Sequence, residues 1–130
     1  MIRVLLVDDQ LCVRVGLEMR LSLERDLTVV GQAASGLEAL ELVERLKPDV
    51  VLMDVQLPVL DGIQAADALA RQAPDCVVVI HSLDDCPELL LRAERAGAFA
   101  CVSKQAGDVA LIATIRAAAE QADRRRAGEE

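Results

Sequence analysis

The sequence predicts an α/β fold, a three-layer sandwich in which a five-stranded parallel sheet lies between two layers of helices. Three observations predict it. Short continuous apolar runs rich in β-branched residues recur along the chain, and stretches with helical spacing fill the gaps between them. These runs lack strict alternation, as strands buried on both faces do. A length of 130 residues with a hydrophobic share of 53% suits one domain with a real core, and Phe99 is the only aromatic, so that core must be aliphatic.

The elements follow in order. Ile2 to Val7 predicts the first strand. Val13, Leu17 and Leu21 recur at helical spacing and mark the first helix. The second strand is expected at 27–34, and Ser35-Gly36-Leu37-Glu38 then reads as a capping box opening the second helix. Leu37, Leu40 and Val43 are expected on its core face, and Lys47-Pro48-Asp49 stops it before a third strand at 50–53. Ile63, Ala66 and Ala70 mark the third helix, and Pro74-Asp75 precedes a fourth strand at 77–81. Leu89 and Ala93 mark the fourth helix, with Gly97 placed as a left-handed cap beyond it. A fifth strand is expected at 99–102, and Ile112, Ile115 and Ala119 mark the fifth helix. Periodicity fades from Asp123, so the domain is drawn at 1–122 with a flexible tail at 123–130, and Arg124-Arg125-Arg126 reads as solvated. The expected strand order is 2-1-3-4-5, one of the two common doubly wound orders and the flavodoxin-like one.

Composition removes several classes of function. The 22 acids against 14 bases leave a net charge of -8, which repels nucleic acid and anionic membranes. Without aromatic platforms, base stacking is unavailable. No apolar run reaches the length of a membrane span. The N-terminal apolar run ends at once in Asp8-Asp9, unlike a signal peptide. Cys12, Cys76, Cys86 and Cys101 match no zinc or redox spacing, which suits reduced thiols in the cytoplasm.

Chemistry gathers at the strand ends. Asp8 and Asp9 follow the first strand, Asp54 ends the third, Ser82 the fourth, and Lys104 the fifth. In an open parallel sheet these ends form one rim, and ligands bind where the strand order reverses. The first and third strands flank that reversal, so three carboxylates converge. Carboxylates so placed repel each other unless they take up protons or bind a cation. Oxygen ligands on a wet rim suit a hard ion such as Mg²⁺. A divalent ion, an ammonium and a hydroxyl around one carboxylate point to phosphoryl chemistry.

With these residues the sequence resembles the response-regulator receiver domains of two-component signalling. The resemblance rests on Leu5-Leu6-Val7-Asp8-Asp9, on Val51-Leu52-Met53-Asp54-Val55-Gln56-Leu57-Pro58 with Asp61-Gly62, on Val78-Val79-Ile80-His81-Ser82, on Ala96-Gly97-Ala98, and on Lys104. It covers nearly the whole chain. Val13-Arg14-Val15-Gly16-Leu17 and the stretch around Leu83-Asp84-Asp85 resemble the subgroup that usually carries a helix-turn-helix output. The gapless spacing from Ser82 to Gly97 and to Lys104 selects Ser82, not His81, as the hydroxyl position.

The resemblance implies the roles. Asp54 is the phosphoacceptor. Asp8, Asp9 and Asp54 hold Mg²⁺ (or Mn²⁺) with the backbone carbonyl of Gln56, Asp8 mostly through water. Ser82 and Lys104 bind the phosphoryl group, and Gln56 and Asp84 tune its hydrolysis. A sensor histidine kinase is the donor. The surface of the fourth helix, fifth strand and fifth helix would then change to regulate a partner or an attached output domain, with a homodimer as a further expectation. Such a chain is a regulatory phosphoacceptor that assists its own phosphorylation and dephosphorylation, not an enzyme of turnover. It is expected to bind no nucleic acid or membrane itself.

Two rival classes share this fold. One is a receiver fold used only as an interaction module, which the intact acids, Ser82 and Lys104 disfavour. The other is a flavin carrier, which would want a hydroxyl- and glycine-rich loop after the first strand. Two departures from the family stand out. Gln105 follows Lys104 where many receivers have Pro. Cys101 stands where many place a Tyr or Phe that rotates on activation, so an aromatic switch cannot operate there. His81, beside Ser82 on a strand, points to the opposite face and reads as structural.

Overall fold

The computed structural model describes residues 1–83 and 86–128. Among them strands and helices alternate as β1 (Ile2–Val7), α1 (Leu11–Leu21), β2 (Leu27–Ala33), α2 (Gly36–Leu46), β3 (Val50–Asp54), α3 (Gly62–Gln72), β4 (Val77–Ser82), α4 (Pro87–Arg95), β5 (Ala100–Ser103) and α5 (Asp108–Arg126). All pairings are parallel, and the sheet runs β2-β1-β3-β4-β5. The predicted fold class and strand order are therefore the observed ones.

The sheet is buried on both faces because successive strand residues point to opposite sides. On β1, Leu5 and Val7 join Val51, Met53, Val78 and Ile80 under α2, α3 and α4. Val4 and Leu6 join Leu52, Val79, Ile112 and Ile115 on the side of α5. Phe99 is 39% exposed, so the buried core is aliphatic throughout.

Ser35 caps α2 by accepting a hydrogen bond from the Glu38 amide at 3.2 Å, but Glu38 reaches back to the Ala34 amide at 2.6 Å, not to Ser35. A full capping box forms instead at α3, between Asp61 and Gln64. Gly97 takes φ +94 beyond α4, as its placement predicted.

Three expectations need correction. Leu37 is 53% exposed, and Ala39 and Val43 fill the core face of α2. Ala70 is exposed, and Leu69 points inward. The small Ala39 is fully buried in the core beside the sheet, and the longer Leu37 lies outside it. The third correction concerns the tail. Asp123 to Arg126 continue α5 as a regular helix. Ala122 is fully buried, Arg126 pairs with Asp49 just before the central strand β3, and Arg125 donates to the Pro74 carbonyl. Basic residues in a last turn also favour the helix dipole. Alanines pack without an apolar signature, so the sequence pattern fades before the helix does.

Candidate functional site: an acidic pocket at the strand ends

Register brings the site together. Val7 pairs with Met53, so Asp8 leaves β1 beside Asp54 at the end of β3. Asp54 in turn lies opposite His81, one residue before Ser82. The Lys104 amide donates to the Ser82 carbonyl at 2.7 Å, which ties the end of β5 to the end of β4.

The carboxylates of Asp8, Asp9 and Asp54 each offer an oxygen within 4.8 Å of the others. Lys104 Nζ stands 3.3 Å from Asp8 Oδ2 and 3.3 Å from Asp54 Oδ1. One ammonium thus bridges two of three acids. Asp8 is 3% exposed and Ser82 5%, whereas Asp9 faces water. The cleft between them has a volume of about 180 Å³ and is lined also by Gln10, Gln56 and Leu83. A hollow of about 380 Å³ at the opposite end of the sheet is lined by Val43, Lys47, Cys76 and Arg126. The converging carboxylates make the smaller cleft the chemical site. Its donor set, all oxygen and open to water, fits a hard divalent cation.

Burial pushes the Asp54 carboxyl above the usual carboxylate range, and Asp8 adds to that, while Lys104 and the Gln56 amide pull the other way. Burial prevails. Backbone packing also holds Asp54 in its place in the cleft. Gly62, first residue of α3, lies against its peptide, and the Gly62 amide donates to the Val55 carbonyl at 2.9 Å.

His81 is half-buried on the strand, and burial, then Lys104, push it down to about 4. A histidine depressed in the folded state stays neutral while the unfolded chain takes a proton near 6.5. Its contribution to stability is full above that value and is lost as the pH falls towards about 4. His81→Gln is therefore expected to flatten the fall in urea midpoint between about pH 7 and about pH 5. Equal pH slopes in the two proteins would contradict the burial assigned to His81.

Cys101 pairs with Ile80 and packs, partly buried, on the α4 side of the sheet. Asp84 lies outside the described residues. Sequence reasoning assigned no role to Arg14, whose guanidinium reaches the Asp8 carbonyl at 2.6 Å. Its other acceptor, Gln32 Oε1 on β2, is remote in sequence, and no local spacing could have revealed it.

A doubly wound sheet with three acids, an ammonium and a buried hydroxyl at its switch point defines the receiver class of signalling domain. The chain belongs to the response regulator receiver domain family, whose model matches residues 4–116. It is 43% identical over 116 residues to the response regulator GacA of Pseudomonas viridiflava, covering 89% of this chain and 54% of that protein. It is 41% identical over 118 residues to an uncharacterized transcriptional regulatory protein, YxjL, of Bacillus subtilis, covering 91% of this chain and 54% of the relative. The chain thus spans about half the length of these curated relatives. Among solved structures, the signal receiver domain of the putative response regulator NarL from Mycobacterium tuberculosis superimposes with a TM-score of 0.87 at 32% identity, covering 92% of this chain and 96% of that one. The response regulator domain of Thermotoga maritima CheB gives 0.85 at 34% identity, with 92% and 97% covered. Receiver domains are regulatory phosphoacceptors. Among the described residues no helix is long and apolar enough to cross a membrane.

Proposed function

We propose that this chain is a phosphorylation switch in which Asp54 accepts a phosphoryl group from a phosphohistidine on a sensor histidine kinase. The observation that carries this reading is the meeting of Asp8, Asp9 and Asp54 around one point, with Lys104 3.3 Å from Asp54. A carboxylate oxygen of Asp54 attacks phosphorus in line, the O–P bond forms, and the P–N bond to the donor imidazole breaks. Asp8, Asp9, Asp54 and the Gln56 carbonyl would hold Mg²⁺ or Mn²⁺, which supplies charge neutralisation at the phosphoryl oxygens when bound. Lys104 and the Ser82 hydroxyl bind the remaining oxygens, and water attack on the acyl phosphate resets the domain.

The phosphoryl group then draws Ser82 and Lys104 towards Asp54, and the α4, β5 and α5 surface shifts to regulate a partner or an attached output domain. With Cys101 in β5, this coupling runs through backbone movement of the loops. The net charge of -8 leaves DNA contacts to other parts of a regulator, and the function belongs in the cytoplasm.

Acetyl phosphate with Mg²⁺ tests the reading. Intact mass is expected to show one phosphoryl group added, reversed on standing, and a chain that gains none overturns it. Lys104→Met separates the two cations. Its ammonium occupies the same acids as the metal, so the variant is expected to bind Mg²⁺ about threefold more tightly or better. Weaker Mg²⁺ binding by calorimetry would contradict that competition.

A further inference from the structure

The Asp8–Asp9 limb of the pocket stands on a helix that packing holds loosely. Gln10 occupies the N-cap of α1 without a side-chain bond, and no acidic residue lies in the first turn. Leu11, Val15 and Met19 are exposed, and Leu21 is the buried residue of the helix. Gly16 sits mid-helix with open space where a Cβ would be, and glycine weakens a helix interior.

Against this background Arg14 makes a two-armed clamp. Its Nη1 donates to the Asp8 backbone carbonyl at 2.6 Å, and its Nε donates to Gln32 Oε1 at 3.0 Å. Gln32 Nε2 then donates to Glu18 Oε1 at 2.5 Å, back on α1. The clamp therefore ends on the peptide that joins Asp8 to Asp9. Fixing that carbonyl fixes the plane of the Asp8–Asp9 peptide, the backbone from which the exposed Asp9 carboxylate departs. Asp8 has other restraints: its amide donates to the Ala33 carbonyl at 3.1 Å, and its Oδ1 accepts from the Gln10 amide at 2.9 Å.

We infer that Arg14 is a positioning residue, which preorganises the Asp8–Asp9 limb for the divalent cation. This rests on the reading of Asp8, Asp9 and Asp54 as cation ligands. The two effects of Arg14 have opposite signs, so they are separable. As a bare charge it competes with a cation for the same carboxylates. As a clamp it spares the cation the ordering of the loop, and residues that orient ligands from behind commonly matter tenfold or more.

Arg14→Lys keeps the charge and loses the planar fork that reaches two acceptors. Arg14→Met loses both. Calorimetry of Mg²⁺ binding suits a chain with no Trp or Tyr. Both variants are expected to raise the Mg²⁺ Kd by about tenfold. Gln32→Leu, which removes one arm, is expected to raise it by less, and it serves if an Arg14 variant fails to fold. In acetyl phosphate labelling the Mg²⁺ concentration for half-maximal rate should rise in step, with the rate at saturating Mg²⁺ within about twofold of wild type. Amide exchange at Asp9 and Gln10 should quicken in the metal-free Arg14→Lys chain. A Kd unchanged in Arg14→Lys, or lowered in Arg14→Met, overturns the inference alone. A wild-type chain that binds no Mg²⁺ overturns the cation reading, and this inference with it.

Discussion

Asp54→Asn is expected to abolish the phosphoryl adduct and, in the same protein, to raise the resistance to urea. The first effect follows from chemistry: an amide has no anionic oxygen to attack phosphorus. The second follows from the site's electrostatics. Burial and Asp8 raise the Asp54 carboxyl above its ordinary range despite Lys104. An acid raised in the folded state penalises the native protein when ionised. That penalty grows as the pH rises through the ordinary value of 3.8 and stays constant above the raised one. Asparagine removes it at neutral pH. Intact mass after acetyl phosphate treatment reads the first effect, and the urea midpoint reads the second. An equal adduct on Asp54→Asn would sink the assignment of the acceptor. A lower midpoint would mean that the Lys104–Asp54 pair outweighs burial.

Gly62→Ala should be the most damaging single-methyl change in the chain. A Cβ at this position would press into the Asp54 carbonyl oxygen, and it would stand 2.9 Å from both the Asp54 carbonyl carbon and Val55 Cα. All three are backbone atoms, so no side-chain rotation relieves the contact. The loop must move, and it carries Asp54 and Gln56. The expected loss is about 3 kcal/mol or more of unfolding free energy, measured by urea denaturation. Any chain that still folds should label more slowly with acetyl phosphate, because Asp54 has been displaced. An unchanged midpoint together with an unchanged labelling rate would show that the loop yields freely and that Gly62 serves no positioning role.

Much of this molecule was legible in its residues. Aliphatic runs such as Val77 to Ile80 announce strands buried on both faces, and helical spacing between them forces crossover connections. Once strands are parallel, their C-terminal ends share a rim, so Asp8, Asp9, Asp54, Ser82 and Lys104 belong to one place before any coordinate is known. Helix faces were harder to read. Leu37 and Leu40 outweigh Ala39 on any hydrophobic scale, yet Ala39 lies inside, because close approach of a helix to a sheet favours the smaller side chain. The end of α5 was hidden for a related reason. Its final turns are held by alanine packing and by arginines that reach Asp49 and the Pro74 carbonyl, and none of these leaves an apolar period.

By itself, then, the amino-acid sequence determined the order of elements, the parallel sheet and the identity of the acids on its rim. Those properties depend on patterns between near neighbours and on a topology that few arrangements satisfy. Tertiary structure alone decided the distances. It set Lys104 between Asp8 and Asp54, pressed Gly62 against the Asp54 peptide, and brought Arg14 across Gln32 to the Asp8 carbonyl. Each joins residues far apart in the chain or turns on contact distances of a few ångströms, and such quantities exist only once the chain has packed.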